Sequence, residues 1–425
     1  MSLSRRQLVG GGVGTLAGVA LLRAIDQGVI DLDGEPGLKA WEDWNTRRHA
    51  GPLALVAAGL LAASPHNSQP WRFAVNRLGV DIFEVPERQL GAIDPFGRER
   101  LAGLGAAIHN MALASTFIGR AGTVRLLPDP DSRRHVARLE LAGEGEPAPP
   151  PHPLLAAIGR RHTHRGGWTG APLSAAERTA LLAFSRPPEL GITLLEAGSA
   201  AGRRFAALTS EATQAITEDA EMMTASQRWF RHDRAEIDRR KDGLTMASSG
   251  ANPWMAAAAM MGPRPGAATE ARFWLAATRD THLPTASLFG LIHLADPFDR
   301  RQGLLLGAAW QRLHLIATSL GLVAQPLNQL PEMIDRDWQL GRPGRFLREA
   351  AALLPAGSPR PALAFRLGRA ETAAAPSIRR PVSQVIGPPA RLGYEVSRAE
   401  AETAEREAQL QRRLARDGSN GQRQP

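Results

Sequence analysis

The feature that most constrains this fold is an internal repeat. Asp94-Pro95-Phe96 recurs as Asp296-Pro297-Phe298, 202 residues later. At that fixed offset Arg98 meets Arg300, and Leu104-Gly105-Ala106-Ala107 meets Leu306-Gly307-Ala308-Ala309. Leu113, Thr116 and Gly119 likewise meet Leu315, Thr318 and Gly321, giving eleven identities in 26 positions. About two would arise by chance from this composition. Each copy reads as a helix: an Asp-Pro turn opens it, small residues in its middle allow close packing, and a glycine suits its C-terminal end. Runs that read as strands precede the copies, at 80–85 and 288–294. The spacing predicts two related halves, 40–150 and 151–390, mixing strands with long helices as a covalent version of a homodimer.

The halves differ in length. Arg47-Arg48-His49-Ala50-Gly51-Pro52 leads the first half and Arg160-Arg161-His162-Thr163-His164-Arg165 the second. Arg48 to Asp94 is 46 residues and Arg161 to Asp296 is 135, so the second half carries about 89 extra residues. We expect them to form a cap insertion over about 198–268. Its Met222, Met223, Trp229, Met246 and Trp254 offer adaptable apolar cover, and Gly243, Gly250 and Gly262 offer hinges.

Composition excludes several classes of function. With 43% hydrophobic and 22% charged residues, the 425-residue chain is globular. It has no cysteine, which removes thiol nucleophiles, iron–sulfur clusters and disulfides. The net charge of +9 is almost all arginine, since Lys39 and Lys241 are the only lysines. No basic stripe interleaves with aromatics, so nucleic acid is not an expected partner. His162-x-His164 lacks nearby carboxylates or thiols and makes a poor metal site, so no metal is expected.

At the N-terminus, Ser4-Arg5-Arg6-Gln7-Leu8 leads into an uncharged run over 9–22 that Arg23 closes. Residues 1–30 read as an export signal of the twin-arginine type. The apolar run is shorter than the roughly 20 residues a membrane span needs. This implies the twin-arginine export machinery as a partner, and the periplasm or the outer face of the cytoplasmic membrane as the location. The route carries folded proteins, often already loaded with a cofactor. The stretch 391–425 reads as a charged tail without an assigned role.

The densest chemical motif is Ser64-Pro65-His66-Asn67-Ser68-Gln69-Pro70-Trp71, after an amphipathic helix expected over 53–61. It resembles the Ser-x-x-Asn-x-Gln-Pro-Trp signature of the FMN-dependent nitroreductase family. Arg161-x-Thr163-x-Arg165 resembles that family's Arg-x-Ser/Thr-x-Lys/Arg element, and Arg379-Arg380-Pro381 its closing arginine motif. The likeness spans most of residues 45–390. The tandem halves, single motif set and large insertion resemble the Acg-type branch. The resemblance implies an α+β nitroreductase-like fold, with two fused pseudo-repeats imitating a homodimer and a cap insertion in the second half.

It also implies FMN as cofactor, NAD(P)H as electron donor and a nitro compound or quinone as acceptor, both small molecules. The flavin carries the chemistry, so no catalytic general acid or base is named. The residues agree with this on physical grounds. A dianionic phosphate calls for arginines, and the ring's pyrimidine edge calls for an amide or hydroxyl, which Ser64 and Asn67 supply. Pro65 and Pro70 fix a short non-helical loop. The implied cofactor-binding set is Ser64, Pro65, His66, Asn67 and Gln69 from half one, with Arg161, Thr163, Arg165, Gln325, Pro326, Arg379 and Arg380 from half two. Family members place backbone contacts to the flavin at the Gln325-Pro326 position. In the mirror-image element Ala50 and Pro52 stand where Thr163 and Arg165 do, so one flavin per chain and a monomer imitating a dimer are expected. The alternative reading is a non-catalytic FMN-binding or sequestering protein beneath a closed cap.

Overall fold

A computed structural model describes residues 36–387 except 46, 47, 144 and 252. The expected export signal and charged tail lie outside the described residues. Among the described residues no helix is long and apolar enough to cross a membrane.

The fold is α+β, built on two four-stranded antiparallel sheets. The first has the order β1-β2-β4-β3, from β1 (Trp71–Asn76), β2 (Gly79–Glu84), β3 (Gly122–Leu126) and β4 (His135–Leu141). The second repeats that order as β5-β6-β8-β7, from β5 (Leu190–Glu196), β6 (Leu288–Leu294), β7 (Val323–Pro326) and β8 (Arg360–Gly368). In both, the expected strand precedes the repeated helix: β2 leads through two short 3-10 turns to Arg98–Phe117, and β6 to Arg300–Ser319.

These two helices pack on each other along the centre of the molecule. Small residues make the approach possible. A Cβ on Gly105 would stand 1.9 Å from the Leu304 carbonyl oxygen, and one on Gly307 would stand 1.8 Å from that of Ala102. Ala102 and Leu304 are themselves 202 residues apart, so the contact is reciprocal, as at an isologous dimer interface. Phe96 and Phe298 meet edge to ring, 4.9 Å between centroids, at the start of the same seam. Both helices run into a glycine with left-handed backbone, Gly119 at φ 69° and Gly321 at φ 71°. Arg98 and Arg300 serve the scaffold: Arg98 pairs with Asp335 at 2.8 Å and Arg300 with Glu84 at 3.1 Å.

The extra residues of the second half lie between paired neighbours. β1 and β2 are joined by residues 77–78, whereas 197–287 separate β5 from β6. The segment therefore runs past the expected limit of 268. Its first helix, Ala200–Glu218, is not a cap. Phe205, Leu208, Ala212 and Ile216 are buried against Phe289, Leu291 and Met333 as part of the core. Met222 and Trp229 are buried in that same cluster, while Trp254 is 86% exposed. The parts that reach the 64–69 loop are Ser226, beside His66, and the start of the stretch 241–250, through Lys241 and Gly243. The helix before that loop, Pro52–Leu60, is buried throughout 54–60 instead of amphipathic. It packs on the Arg98–Phe117 helix and on β1 and β2, so its 54–60 stretch has no face toward water.

Candidate functional site

The 64–69 loop is held in a costly backbone conformation. His66, Asn67 and Gln69 have φ of 47°, 53° and 51°, each costing about 1–2 kcal/mol for a side chain bearing a Cβ. Such strain persists where the surroundings over-determine it, and it collects at functional sites. The surroundings do so here. The Ser64 hydroxyl accepts from the Gln69 N–H at 3.1 Å. Asn67 Nδ2 donates to the carbonyls of Gly243 (3.0 Å) and Ile378 (2.8 Å). Gln69 Nε2 donates to the Lys241 carbonyl at 2.8 Å, and its Oε1 accepts from the Arg380 N–H at 3.0 Å. Asn67 and Gln69 thus spend their amides on protein partners, so their part in the site is to fix the loop. The His66 ring lies 3.2 Å from the Ser226 hydroxyl, and burial, with Arg165 nearby, lowers its pKa to about 4. It is a neutral imidazole at physiological pH.

Against this loop the fold buries arginines without acids. Arg161 is 2% exposed and donates Nη2 to the Leu61 carbonyl at 3.1 Å, while its Nε and Nη1 have no partner. Arg379 donates Nε to the Leu60 carbonyl (2.7 Å), Nη1 to Asn67 Oδ1 (2.5 Å) and Nη2 to the Ala62 carbonyl (3.2 Å). Arg165, half-buried, donates Nη1 to the Ser248 carbonyl at 2.8 Å. A fourth, Arg366 of β8, donates to Gln325 Oε1 (2.7 Å) and to the His282 (2.8 Å) and Gly166 (2.9 Å) carbonyls, with its guanidinium 3.7 Å over the Trp168 ring. Among the described residues none of the four forms an ion pair. Their pKa values fall accordingly: Arg161 and Arg165 to about 10, Arg366 to about 9, and Arg379 far below its usual value. Burial is the main cause in each, and repulsion from Arg165 adds to it for Arg161, Arg366 and Arg379. Buried charge without a counter-ion is unfavourable unless an anion completes it.

The remaining candidates divide. Thr163 pairs in parallel with Ala324, which brings the arginine element to the end of β7 beside Gln325 and Pro326. Arg380 turns the other way: it donates to the Ser68 carbonyl at 3.3 Å and forms an ion pair with Asp242, so it stands outside the acid-free cluster. His164 is engaged by the Trp168 indole N–H at 2.9 Å. On the mirror side Arg48 is 64% exposed and pairs with Asp43, in contrast to the buried Arg161. The sequence reading missed Arg366 and Trp41. The Trp41 ring lies under the guanidinium groups of Arg379 (4.9 Å) and Arg161 (5.8 Å). An arginine flanked by apolar residues inside a strand was the signal available for Arg366. Trp41, in a five-residue helix, offered none.

No family model matches the chain. It is 31% identical over 168 residues to "Putative NAD(P)H nitroreductase Rv3131" of Mycobacterium tuberculosis, covering 39% of this chain and 47% of that protein. It is 36% identical over 81 residues to "Putative NAD(P)H nitroreductase acg" of the same organism, covering 19% and 24%. The match thus spans about half the length of the former relative and about a quarter of the latter. Among solved structures, the FMN and NADPH-dependent nitroreductase NfnB from Sphigopyxis sp. strain HMH matches at 16% identity and a TM-score of 0.35, over 56% of this chain and 98% of that one. The sequence matches support a nitroreductase family assignment.

Proposed function

We propose, from this nitroreductase assignment, that the chain binds one FMN and acts as an exported oxidoreductase. The observation that carries the reading is the acid-free cluster of Arg161, Arg165, Arg366 and Arg379 beside the strained 64–69 loop. The unpartnered Nε and Nη1 of Arg161 fit a group with several anionic oxygens, as the phosphate of FMN is. Arg161, Arg165 and Arg379 would hold that phosphate, with the Thr163 hydroxyl beside them. Arg366 braces Gln325 at the end of β7, where backbone groups would meet the ring. When bound, the flavin supplies hydride transfer, here from NAD(P)H or another small donor to a nitro compound or quinone. The chain contributes binding, orientation and exclusion of water, and no side chain is assigned as acid or base. Loop and arginine element come from different halves, so a monomer suffices as a fused dimer mimic. Arg5-Arg6 and the apolar run after them support twin-arginine export to the periplasm or the outer face of the cytoplasmic membrane.

The experiment is the absorption spectrum of the purified full chain. Flavin bands at about 370 and 450 nm, and one FMN per chain released on denaturation, are expected. No flavin after reconstitution, or two per chain, overturns the reading. A second reading, storage of FMN without turnover, draws on a specific observation. The insertion closes on the loop through Gly243 N–H to the Asn67 carbonyl (3.2 Å), and a Cβ on Gly250 would stand 2.5 Å from the Arg165 carbonyl carbon. Steady-state NADPH oxidation with a nitroaromatic or quinone acceptor separates the two, since storage alone gives none.

A further inference from the structure

On the outer side of the 68–71 backbone, away from the acid-free cluster, lies a cleft of about 410 Å³, within the range of small-molecule sites. Arg228, Arg231, Arg240 and Arg264 of the insertion form one wall, and Arg88 and Arg380 the other. Against these six cations stand Glu87, Glu236 and Asp242. The carboxylates are already spoken for. Asp242 pairs with Arg231 at 2.7 Å and also with Arg380, and Glu236 pairs with Arg240 at 3.2 Å. Glu87 faces Arg134, outside the cleft, at 3.9 Å. Arg88, Arg228 and Arg264 therefore have no ion-pair partner among the described residues. Arg88 donates to the carbonyls of Gln69 (2.5 Å) and Trp71 (3.2 Å), and Arg264 to that of Gln227 (3.1 Å). Burial, with Arg380 and Arg72 close by, lowers the Arg88 pKa to about 9. Trp229 also lines the cleft, and its indole N–H is buried without a partner.

We propose that this cleft is a second anion site, taking small molecules that carry a phosphate or diphosphate group. An excess of positive charge focused in a concave surface concentrates anions, and guanidinium forks match phosphate oxygens in geometry. Arg231, buried and paired with Asp242, fixes the floor, and the unpaired Arg228, Arg264 and Arg88 supply the free charge. The site shares its inner wall with the 64–69 loop through Arg380 and Gln69, so its occupant lies next to the flavin loop without using the buried cluster. The assignment is independent of whether the flavin turns over.

The test is calorimetric titration of the full chain with inorganic pyrophosphate at low salt, with and without saturating FMN. The variants are the Arg228→Ala, Arg264→Ala double substitution and, separately, Arg161→Ala. Pyrophosphate binding is expected in the wild type. It should weaken at least tenfold in the double variant, whose flavin content is unchanged, and persist in Arg161→Ala. Repeating the titration with adenosine 5′-diphosphate distinguishes a nucleotide from a simple phosphate, and tighter binding of either keeps the assignment. Two results overturn it: no binding in the wild type, or binding that survives the double substitution and disappears in Arg161→Ala. The latter would put the anion in the buried cluster.

Discussion

Replacing Arg161 by methionine should move flavin affinity and intrinsic stability in opposite directions. The side chain is 2% exposed, makes one hydrogen bond to the Leu61 carbonyl and leaves Nε and Nη1 unpartnered. Burial first, and Arg165 second, lower its pKa from the ordinary arginine value to about 10. That lowering corresponds to about 3 kcal/mol against the charged form at 1.36 kcal/mol per pKa unit. Methionine fills a similar space, removes the charge and forfeits one hydrogen bond worth about 1 kcal/mol. The flavin-free chain should then gain about 2 kcal/mol, in line with buried ions replaced by apolar groups. FMN should lose charge-assisted contacts worth about 1.5–3 kcal/mol, weakening its Kd about ten- to a hundredfold. Chemical denaturation of the flavin-free protein measures the first effect, and titration by flavin fluorescence the second. A less stable flavin-free variant that binds FMN as tightly as the parent would refute the reasoning. Arg161 would then be a strut for the Leu61 carbonyl.

Other outcomes follow from the same structure. Gly307→Val puts a Cβ 1.8 Å from the Ala102 carbonyl oxygen and 2.7 Å from its Cα, so the central helices must part. We expect about 3 kcal/mol of destabilisation, matched by Gly105→Val across the seam; denaturant midpoints unchanged in either variant would rule the close approach out. Burial lowers the pKa of His66 to about 4, and of His109, His162 and His282 to about 3. Below pH 6.5 the unfolded chain takes up protons that the fold refuses until its own lower pKa values are reached. Stability should therefore fall steadily from pH 6.5 toward 4, by about 2 kcal/mol at pH 5 for a histidine such as His109; a flat pH dependence of unfolding over that range would contradict it. Gly250→Val, at φ 85° and against the Arg165 carbonyl, should loosen the 241–250 segment. A rise in acceptor reduction with FMN retained is the expected result, and loss of flavin would mean that the segment belongs to the binding site itself.

Much of the architecture was legible because it is written twice. The 202-residue offset located both central helices, the strands before them and the glycines at their ends, since matching small residues are required wherever two backbones approach. The 64–69 loop was legible from its prolines and amides, but the direction of those amides was not. Composition announces an amide without saying whether it faces a ligand or a carbonyl 176 residues away, as Asn67 does with Gly243. The Ala200–Glu218 helix was misjudged as cap because its apolar spacing is compatible with either surface. Only the face of β6 carrying Phe289 and Leu291 decides which one it covers. Arg366 was hidden for a related reason: a charge in the middle of a buried strand becomes meaningful only when carbonyls from 164–166 and 282 converge on it.

The placement of the long insertion also orders the assembly of the molecule in time. β1 and β2 pair across residues 77–78, whereas β5 and β6 pair only after 197–287 have been brought round. Loop closure of that length costs on the order of 3 kcal/mol more chain entropy than the short turn. The first sheet is therefore positioned to nucleate early, from local contacts. The second must wait for its own inserted helices to condense, since Phe205 and Ile216 supply the apolar surface that holds β6 in place. The arginine cluster draws on both halves, Leu60 and Asn67 from the first and Arg366 of the second sheet from the other. It is complete only when the slower half has docked, so the anion-binding pocket is a late product of folding and a direct report that the whole chain has reached its native state.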